Sequence, residues 1–445
     1  MIGVSTTATL PLPAESTNIT FVPPIPESLE DLGVARSLVE EMILKILYFR
    51  GDTTGRVLSS TLGINYSVIA PLIENMKRQQ LIMVKSSLGI GDISSTFTTT
   101  EAARELTREY LESNSYCGRI PVPLEQYTVG VKMQRNKSDW LNKEMLLSAF
   151  KHMVVNEATL GQLGPAVNAG KSFLIYGQPG NGKTYLAEGL FNIDSEPIYV
   201  PFAIEFQGQI IQVYDPIYHQ RVDEDAPEIS AFHNEREFDG RWFKAKRPFI
   251  MSGGELALEM LDLSYNPASK IYDAPFQVKA NNGIYLIDDF GRQKVTPAEV
   301  LNRWIVPMER RIDFMNFRTG GKAQIPFECF LVFSSNLKPE QLGDEAFLRR
   351  IQYKMFVRSP QVDEFKIIFR RFCHSQKIEC EESVLEDYID RRYLRSGKTL
   401  RRCQPRDVIT HAIDLIRFER LPYVLTPEVL DRAFEMTFVS EEYEL

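Results

Sequence analysis

Apolar residues near the start of the chain follow helical spacing. Residues 1–30 are rich in proline, serine and threonine, which predicts a flexible tail. Apolar positions then recur every three or four residues between Ser37 and Leu47, as in an amphipathic helix. A short second helix is predicted at Gly55–Leu62. A third is predicted at Ser67–Gln80, where Pro71 would lie in the first turn because proline lacks a backbone donor.

A β-hairpin and a fourth helix complete this region. Two apolar runs flank a glycine-containing turn, which predicts a hairpin with its tip at Ser86–Asp92. Thr98 and Glu101 have the spacing of a capping box, so a helix is expected at Glu101–Glu112. Three small helices followed by a hairpin resemble a winged helix, with Ser67–Gln80 as the recognition helix. The few basic residues favour protein docking over DNA binding, and both remain open.

A connecting segment leads into the rest of the chain. Pro121 and Pro123 exclude a regular helix in our interpretation, which predicts an extended linker over Ile120–Gly130. Helices are then expected over Asp139–Ala169.

A glycine-rich turn follows the apolar run Phe173–Tyr176. Its sequence, Gly-Gln-Pro-Gly-Asn-Gly-Lys-Thr, matches the pattern G-x-x-x-x-G-K-[ST] and precedes a predicted helix at Lys183–Phe191. Polyphosphate needs several converging N–H groups, and glycine lets the backbone curl closely around it. The lysine adds a positive charge and the threonine offers a hydroxyl to Mg²⁺. ATP and Mg²⁺ are therefore the expected cofactors, and the predicted binding residues are Gly177, Pro179, Gly180, Asn181, Gly182, Lys183, Thr184 and Tyr185.

Two further apolar runs end in polar residues. Ile284–Ile287 precede Asp288 and Asp289, a Walker B arrangement. Asp288 would complete the metal site with Thr184, and Asp289 would polarise the attacking water. Another apolar strand ends at Asn336, whose side chain can orient that water. Paired aspartates can also simply cap a helix, but their position behind a P-loop favours the catalytic interpretation.

Three arginines follow in order and complete a likeness to a known family. With Arg349, Arg350 and Arg406, the motifs resemble those of the AAA+ ATPases over about residues 140–420. The resemblance implies a parallel α/β core with a helical lid, in which Asn336 is sensor 1 and Arg406 is sensor 2. Arg349 or Arg350 would be the arginine finger that reaches the nucleotide of a neighbouring subunit. Arg401 and Arg402 are alternatives to Arg406, and the arginine pair could also be a solvated basic pair.

The sequence departs from the family pattern in two ways. Asp289 stands where many members have glutamate, so hydrolysis is expected to be slow. Lys183 and Asp288 lie 105 residues apart, which indicates an insert at about residues 200–275. Within it we predict a hairpin at Gln207-Gly208, an acidic loop, and a helix at Glu255–Leu263.

An insert before Walker B also resembles the AAA+ branch that includes MoxR-type proteins, magnesium chelatases and sigma-factor activators. The sequence has no Gly-Ala-Phe-Thr-Gly-Ala loop, which argues against a sigma-factor activator. In AAA+ rings this part of the chain commonly supplies loops that face the central channel. Trp242, Phe243, Lys244 and Lys246 are therefore candidates for gripping a substrate, with packing of the aromatic residues in the core as the alternative.

The composition argues against several other classes of protein and of binding site. A net charge of -8 argues against binding polyanions over the whole surface. The five cysteines are an odd number without a Cys-x-x-Cys pair, which favours free thiols in a reducing compartment and no structural metal. No lysine or arginine precedes Arg36, and no apolar run reaches about 20 residues, so neither a signal peptide nor a membrane span is expected. We predict a cytoplasmic protein.

The sequence thus predicts an α/β AAA+ ATPase with a small winged-helix-like α+β domain in front. The predicted parts are a tail at 1–34, the winged-helix-like domain at 35–116, a linker at 117–138, the P-loop core at 139–358, and a helical lid with a C-terminal tail at 359–445. The predicted function is chaperone-like remodelling of an unknown protein client by a ring of identical subunits, expected to be a hexamer. The alternative is an ATP-dependent DNA-binding regulator or DNA motor that acts through the winged helix.

Overall fold

The computed structural model describes residues 21–87, 92–136, 140–222 and 237–438. In chain order the helices are α1 Arg36–Arg50, α2 Gly55–Leu62, α3 Tyr66–Arg78, α4 Glu101–Ser113, α5 Leu124–Met133, α6 Lys143–Phe150, α7 Glu157–Ala169, α8 Lys183–Gly189, α9 Phe276–Lys279, α10 Pro297–Arg310, α11 Pro339–Leu342, α12 Glu345–Leu348, α13 Val362–Gln376, α14 Glu382–Ile389, α15 Gln404–Glu419 and α16 Pro427–Thr437. The strands are β1 Thr53–Thr54, β2 Ile82–Ser87, β3 Ser95–Thr99, β4 Val122–Pro123, β5 Ser172–Tyr176, β6 Ile198–Pro201, β7 Ala203–Phe206, β8 Gln209–Gln212, β9 Trp242–Ala245, β10 Phe249–Ser252, β11 Ser264–Asn266, β12 Ile271–Asp273, β13 Ile284–Ile287, β14 Ile312–Asn316, β15 Lys322–Pro326, β16 Phe330–Ser335 and β17 Tyr353–Phe356.

A five-stranded parallel sheet forms the centre of the fold. Its order is β10–β13–β16–β5–β17, and every neighbouring pair is parallel. Along β5 the side chains alternate between the two faces: Phe173 and Ile175 pack with Leu186 of α8, and Leu174 packs in the cluster of Trp304 from α10. Both faces are covered, as parallel sheets require. The predicted α/β fold class is confirmed.

Helices α13–α16 form a bundle with a hydrophobic core of their own. Phe369, Tyr388, Ile409 and Leu430 are buried in it, one from each helix. Each helix contributes one apolar face, which is the pattern expected of a helical bundle. This is the helical part that the sequence predicts for residues 359–445, although residues 439–445 of its tail lie outside the described residues.

The described residues between Arg36 and Ser113 form three helices, a small antiparallel sheet and a fourth helix, as predicted. The sheet has the order β1–β3–β2, and the apolar faces of α1, α2 and α3 pack against Phe97 of its central strand. Residues 88–91 of the hairpin tip lie outside the described residues. Within the described ranges no single helix is long and apolar enough to cross a membrane; only the bent pair α2 and α3 meets both criteria together, and both helices contribute buried residues to the core.

Two local predictions in this region are wrong. Pro71 lies in the second turn of α3, since that helix begins at Tyr66. A proline inside a helix costs about 3 kcal/mol, and the buried face that includes Ile69 and Leu72 offsets this cost. The N-cap of α4 is Thr100, whose side chain accepts a hydrogen bond from the N–H of Ala103. Thr98 is instead part of β3, where its backbone is committed to the sheet.

The prediction of an extended linker at residues 120–130 is also wrong. Val122 and Pro123 form β4, and α5 begins immediately afterwards. Pro123 occupies the N-cap of α5, a position where the missing N–H costs nothing. Leu124, Tyr127 and Val131 of α5 are buried, so this segment belongs to a hydrophobic core rather than joining two domains loosely.

That core belongs to what we call the insert region, which consists of α5, β4, β6–β9, β11, β12, β14 and β15. Its main sheet has the order β11–β12–β8–β7–β4, and β6 pairs with β9 beside it. The hairpin β7–β8 turns at Gln207 and Gly208, as predicted, with φ angles of 50° and 78°. The hairpin β14–β15, which follows Asp288 and Asp289 in the sequence, packs into the same core through Met315 and Ile325. The insert region is therefore assembled from four separate stretches of the chain.

Three of the four candidate channel residues lie on strand β9, and Lys246 follows that strand in an exposed loop. Trp242 and Phe243 of β9 are buried, and Phe243 packs edge to face against Phe202 at a ring distance of 5.0 Å. Lys244 lies over the ring of Tyr199, across the β6–β9 pair. Since neither aromatic side chain is available to a substrate, the channel interpretation of Trp242 and Phe243 is wrong.

The predicted helix at Glu255–Leu263 is not formed. Only a 3₁₀ turn at Leu258–Leu261 is present. The carbonyl of Leu261 accepts a hydrogen bond from the side chain of Gln277 at 2.6 Å. This carbonyl is therefore bonded to a residue distant in the sequence rather than to a backbone N–H of a helix. The predicted acidic loop begins at residue 223 and lies outside the described residues.

A buried ion pair lies just before β9, and its arginine also contacts residues of the N-terminal part and of α5. Arg241 and Asp239 are both 2% exposed and lie 2.9 Å apart. The guanidinium of Arg241 also donates to the carbonyl of Leu32 at 2.8 Å and to the side chain of Gln126 at 3.1 Å. Because a buried guanidinium needs several acceptors to offset its loss of water, these contacts fix the two parts against each other.

Candidate nucleotide-binding site

Three strands of the parallel sheet end side by side at one edge. β16 lies between β5 and β13, and Ser335 at its end is opposite Tyr176 at the end of β5. The N–H of Gly177 donates to the carbonyl of Ser335 at 3.2 Å. The glycine-rich loop, the aspartate pair and Asn336 follow these three strands, so the sheet brings together residues that are distant in the sequence.

Three glycines of the glycine-rich loop have backbone conformations and close contacts that other residues could not adopt. Gly177, Gly180 and Gly182 have φ angles of 153°, 80° and 80°, in a region that side chains rarely adopt. A Cβ atom on Gly177 would lie 2.5 Å from the carbonyl oxygen of Val357, and one on Gly180 would lie 2.6 Å from the sulfur of Cys403. The loop therefore curves tightly between β5 and α8 and is closely approached by other backbone and side-chain atoms.

Lys183 is the cation at the end of this loop. Its side chain is buried, and its Nζ donates to the carbonyl of Gln178 at 3.0 Å and to Oδ1 of Asn336 at 2.6 Å. Burial lowers the pKa of Lys183, and the carboxylates of Asp288 and Asp289 oppose that shift. The ammonium group is thus held at the end of β16, beside both aspartates.

Thr184 and Asp288 lie in contact. The hydroxyl of Thr184 is 3.0 Å from one carboxylate oxygen of Asp288 and 2.9 Å from the other. The N–H of Asp288 donates to the carbonyl of Ser252 at 2.8 Å, which fixes the residue at the end of β13. A hydroxyl and a carboxylate are oxygen ligands of the kind that Mg²⁺ takes together with phosphate and water, so these two residues fit the ion.

Asp289 and Asn336 form the second contact between strand ends. Nδ2 of Asn336 donates to Oδ1 of Asp289 at 2.8 Å, while Oδ1 of the same amide accepts from Lys183. Asp289 has a φ of 49°, a left-handed conformation that aspartate and asparagine tolerate better than most residues. Asn336 therefore connects the lysine of the P-loop with the second aspartate, and Asp289 is exposed at the open edge.

The other predicted binding residues in and after the loop differ in burial and in contacts. Asn181 is 1% exposed, and its Nδ2 donates to the hydroxyl of Ser359 at 3.2 Å, ahead of α13. Pro179 is exposed. The ring of Tyr185 is about half exposed and lies edge-on to His152 at 6.1 Å. Asn181 therefore has a structural contact to the helical bundle, and Tyr185 borders the loop on the outside.

The helical bundle contacts the loop through residues just before α15. The N–H of Cys403 donates to the carbonyl of Gly180 at 2.9 Å. Arg401 and Arg402 approach the loop as well, since their Cδ atoms lie 3.5 Å and 3.7 Å from Cβ positions built on Gly180 and Gly182. Arg406, the residue matched to sensor 2, is exposed, and its Nε donates to the neighbouring Asp407 at 3.1 Å.

Arg402 has a further set of contacts that the sequence does not indicate. It donates to the carbonyl of Val154 at 2.7 Å and to the carboxylate of Glu364 at 2.8 Å. It therefore ties α13 of the bundle to the segment before α7. The signal for Arg401 and Arg402 in the sequence is their position before Pro405 and the amphipathic helix α15.

Arg349 and Arg350 lie away from this loop. Their segment precedes β17, and the carbonyl of Arg350 accepts from the hydroxyl of Ser172 at 2.9 Å, at the start of β5. The P-loop follows the other end of β5. Arg350 pairs with Glu309 at 2.8 Å, and Arg349 is exposed. Both line a cleft of about 550 Å³ that also includes Arg135, Lys171 and Arg311.

Five cations therefore meet in this cleft, and Glu309 is the one carboxylate among the described residues that line it. Neither arginine can reach the nucleotide site of its own chain from this position. The structure thus brings together Lys183, Thr184, Asp288, Asp289 and Asn336, and it places Arg349 and Arg350 elsewhere.

Comparisons with known proteins add the following findings. Residues 361–436 match a family described as a domain of unknown function (DUF8689). No curated protein sequence matches the chain.

Among solved structures, NtrX from Brucella abortus is similar with 12% identity and a TM-score of 0.39, over 77% of this chain and 62% of that one. Its complex with ATP gives 11% identity and a TM-score of 0.38, over 76% and 63% of the two chains. RuvB from Thermotoga maritima gives 14% identity and a TM-score of 0.34, over 68% and 73%. This chain thus spans less than two thirds of NtrX, and we infer function from the geometry of its own residues.

Proposed function

We propose that this protein is a Mg²⁺-dependent AAA+ ATPase that assembles into a ring and uses ATP to remodel a macromolecular partner. The observation that carries the proposal is the meeting of Lys183, Thr184, Asp288, Asp289 and Asn336 at one edge of a parallel sheet. Each of these side chains suits one task in phosphoryl transfer, and they come from three adjacent strand ends.

The glycine-rich loop and Lys183 would bind the phosphates. The left-handed glycines let backbone N–H groups converge on the anion, and the ammonium group adds a charge at its outer end. The carbonyl of Gln178 and the amide of Asn336 hold that ammonium group. ATP would supply stronger acceptors than either, so Lys183 exchanges neutral partners for phosphate oxygens.

Thr184 and Asp288 would hold Mg²⁺, whose charge neutralises that of the phosphate oxygens. The two side chains already lie within hydrogen-bond distance, so little rearrangement is needed to bind the ion.

Asp289 and Asn336 would position the attacking water. Asp289 is exposed at the open edge and can accept a proton from water, while its link to Asn336 fixes its direction. Asn336 at the same time contacts Lys183, so it can sense whether the lysine is bound to phosphate. The shorter side chain of aspartate, compared with glutamate, leaves a greater distance to the water and favours slow hydrolysis.

The cleft with Arg349 and Arg350 supports a site shared between subunits. Its excess of positive charge would suit the triphosphate of a neighbour, and a guanidinium stabilises the charge that develops during transfer. Hydrolysis would then require assembly, as in the expected hexamer.

The N-terminal domain and the insert region would bind the partner. In the winged-helix interpretation α3 is the recognition helix, and its exposed basic residue is Arg78, since Lys77 is paired with Glu74. Lys85 on the hairpin is paired with Asp52. Few unpaired cations among the described residues of this face support protein docking over DNA contact, and the remodelling role over the DNA regulator or motor.

Mixing two inactive variants tests the shared site. Lys183→Ala removes nucleotide binding but keeps the arginines, whereas the double variant Arg349→Ala/Arg350→Ala keeps the nucleotide site. Mixed subunits should regain ATP hydrolysis, because the arginines of one variant can complete the site of the other. Adding duplex DNA to the wild-type protein should leave the rate unchanged.

Two results would overturn parts of this proposal. An arginine double variant with the full wild-type rate would exclude a shared site. Hydrolysis that rises with duplex DNA, together with salt-sensitive DNA binding, would favour the DNA motor over the protein remodeller.

A further inference from the structure

A second cleft lies between the N-terminal helices and the insert region, and its lining includes no residue of the candidate nucleotide-binding site. We call it the interdomain cleft. One wall is formed by the end of α1, by α2 and by residues 115–119, and the other by residues of the insert region that include Phe202 and Ile271. Its volume is about 840 Å³. Small-molecule sites commonly have volumes of roughly 300–1,000 Å³ and occur preferentially at domain interfaces.

The interdomain cleft is strongly basic. Arg50, Arg56 and Arg119 line it, and no aspartate or glutamate is present among the described residues of its walls. Hydroxyl groups of several serines and a threonine add further donors. Because the whole chain has a net charge of -8, a cavity with three cations and no carboxylate is not explained by composition.

Arg119 is held in place by both walls. It donates to the carbonyl of Ser60 in α2 at 2.5 Å, and its guanidinium lies 5.4 Å from the ring centre of Phe202 in the insert region. A guanidinium that is stacked on an aromatic ring and bonded to a carbonyl loses little freedom when it also contacts an anion.

Arg50 and Arg56 complete the basic lining on the same wall as Arg119. Both are exposed, and neither side chain forms an ion pair or hydrogen bond with a residue that the structure describes. Arginine forks bind phosphate and carboxylate groups in a bidentate manner, and three of them around one cavity suit a ligand with several anionic oxygens.

We propose that the interdomain cleft binds a small phosphorylated metabolite that carries more than one anionic group. Such a ligand contacts α2 on one side and the insert region on the other. It therefore bridges the N-terminal helices and the insert region. This site is independent of the P-loop and does not depend on the proposed ATPase activity.

Protection of Cys117 from alkylation tests this site. Cys117 is an exposed thiol that lines the interdomain cleft, and Cys380, in the helical bundle, serves as an internal reference. The full-length Lys183→Ala protein is used, without Mg²⁺, so that the P-loop does not bind the probe. Pyrophosphate should slow the reaction of Cys117 with N-ethylmaleimide in a saturable manner, as quantified by mass spectrometry of the peptides, and should leave Cys380 unchanged. NaCl of equal ionic strength controls for screening.

Substitutions of arginines inside and outside the cleft test whether pyrophosphate binds there. Arg50→Ala/Arg56→Ala should raise the pyrophosphate concentration that gives half protection by about tenfold or more, since charge-assisted hydrogen bonds are lost. Arg78→Ala, which removes an exposed arginine of the same domain outside the cleft, should leave this concentration unchanged. Arg56→Gln alone gives a second test if the double variant is poorly folded.

Three results would overturn the proposal. They are protection that NaCl reproduces, equal half-protection concentrations in the Arg50→Ala/Arg56→Ala and Arg78→Ala variants, and protection by a short single-stranded oligonucleotide but not by pyrophosphate. The last result would assign the cleft to nucleic acid.

Discussion

We call the edge of the parallel sheet that carries Lys183, Thr184, Asp288, Asp289 and Asn336 the nucleotide edge. It differs from the insert region in how its residues come together. At the nucleotide edge, three short motifs follow adjacent strands of one sheet, and the sheet order brings Lys183 to Asn336 and Thr184 to Asp288. The insert region builds its core from four separate stretches, including α5 and the hairpin β14–β15. The first arrangement keeps its functional side chains in polar contacts at an open edge. The second buries aromatic side chains such as Phe243 completely.

This difference has a consequence for substitutions. A change at the nucleotide edge should remove function and spare folding, because the side chains there contact few apolar neighbours. A change in the insert core should reduce the stability of the protein, because each large side chain fills space shared by several segments.

The largest expected effect is that of Lys183→Ala on nucleotide binding. Removing the ammonium group takes away a charge-assisted contact to phosphate, so ATP affinity should fall about a hundredfold or more. The free energy of unfolding should change little, since Gln178 and Asn336 can bond water instead. Isothermal titration and urea unfolding measure the two effects. Lys143→Ala, at the exposed start of α6, is the matched control and should bind ATP normally. A Lys183→Ala protein with wild-type ATP affinity would contradict the assigned role.

The next effect is that of Asp289→Asn on hydrolysis. Loss of a general base typically costs about 10²–10⁴-fold in rate, while ATP binding should persist. Asparagine tolerates the left-handed φ of 49° at this position, so the substitution removes the charge without straining the backbone. Single-turnover hydrolysis measures the rate, and Asp414→Asn on the exposed side of α15 is the control. An Asp289→Asn enzyme at the wild-type rate would exclude its part in activating water.

Phe243→Ala should act on stability instead. Truncating a fully buried phenylalanine costs about 3–5 kcal/mol of unfolding free energy, and this ring also packs against Phe202 and Tyr214. Ile217→Ala is the control, because that side chain is 82% exposed and its truncation should change stability by less than about 0.5 kcal/mol. Urea unfolding followed by circular dichroism distinguishes the two. If Phe243→Ala were as stable as Ile217→Ala and only lost a substrate response, the channel interpretation would return.

The smallest effect concerns the pH dependence of ATP hydrolysis. Burial lowers the pKa of Lys183 in the free enzyme, so its charge is lost at a lower pH than that of an ordinary lysine. As pH rises through this lowered pKa, kcat/KM should fall. Bound phosphate favours the charged form, so the decline of kcat should come at a higher pH than that of kcat/KM. Coincident alkaline declines would contradict this account of Lys183.

The sequence predictions were more accurate for the nucleotide edge than for the insert region. The P-loop and the strand that precedes Asp288 were predictable because a contiguous pattern carries each of them. The prediction for Trp242 and Phe243 was wrong because burial there depends on β6 and α5, which are distant in the sequence. Pro121 and Pro123 suggested a linker, although a proline at an N-cap can equally precede a helix. The contacts of Arg401 and Arg402 near the loop could not be predicted, because they depend on how the helical bundle packs against the P-loop.

Steady-state hydrolysis of ATP by the wild-type protein, compared with Lys183→Ala in the presence of Mg²⁺ and of EDTA, tests the central claim most directly. The account predicts hydrolysis that needs Mg²⁺, disappears in Lys183→Ala, and rises per subunit with protein concentration as the shared site assembles. Hydrolysis that persists in Lys183→Ala, or a wild-type protein that binds no ATP in the presence of Mg²⁺, would contradict it.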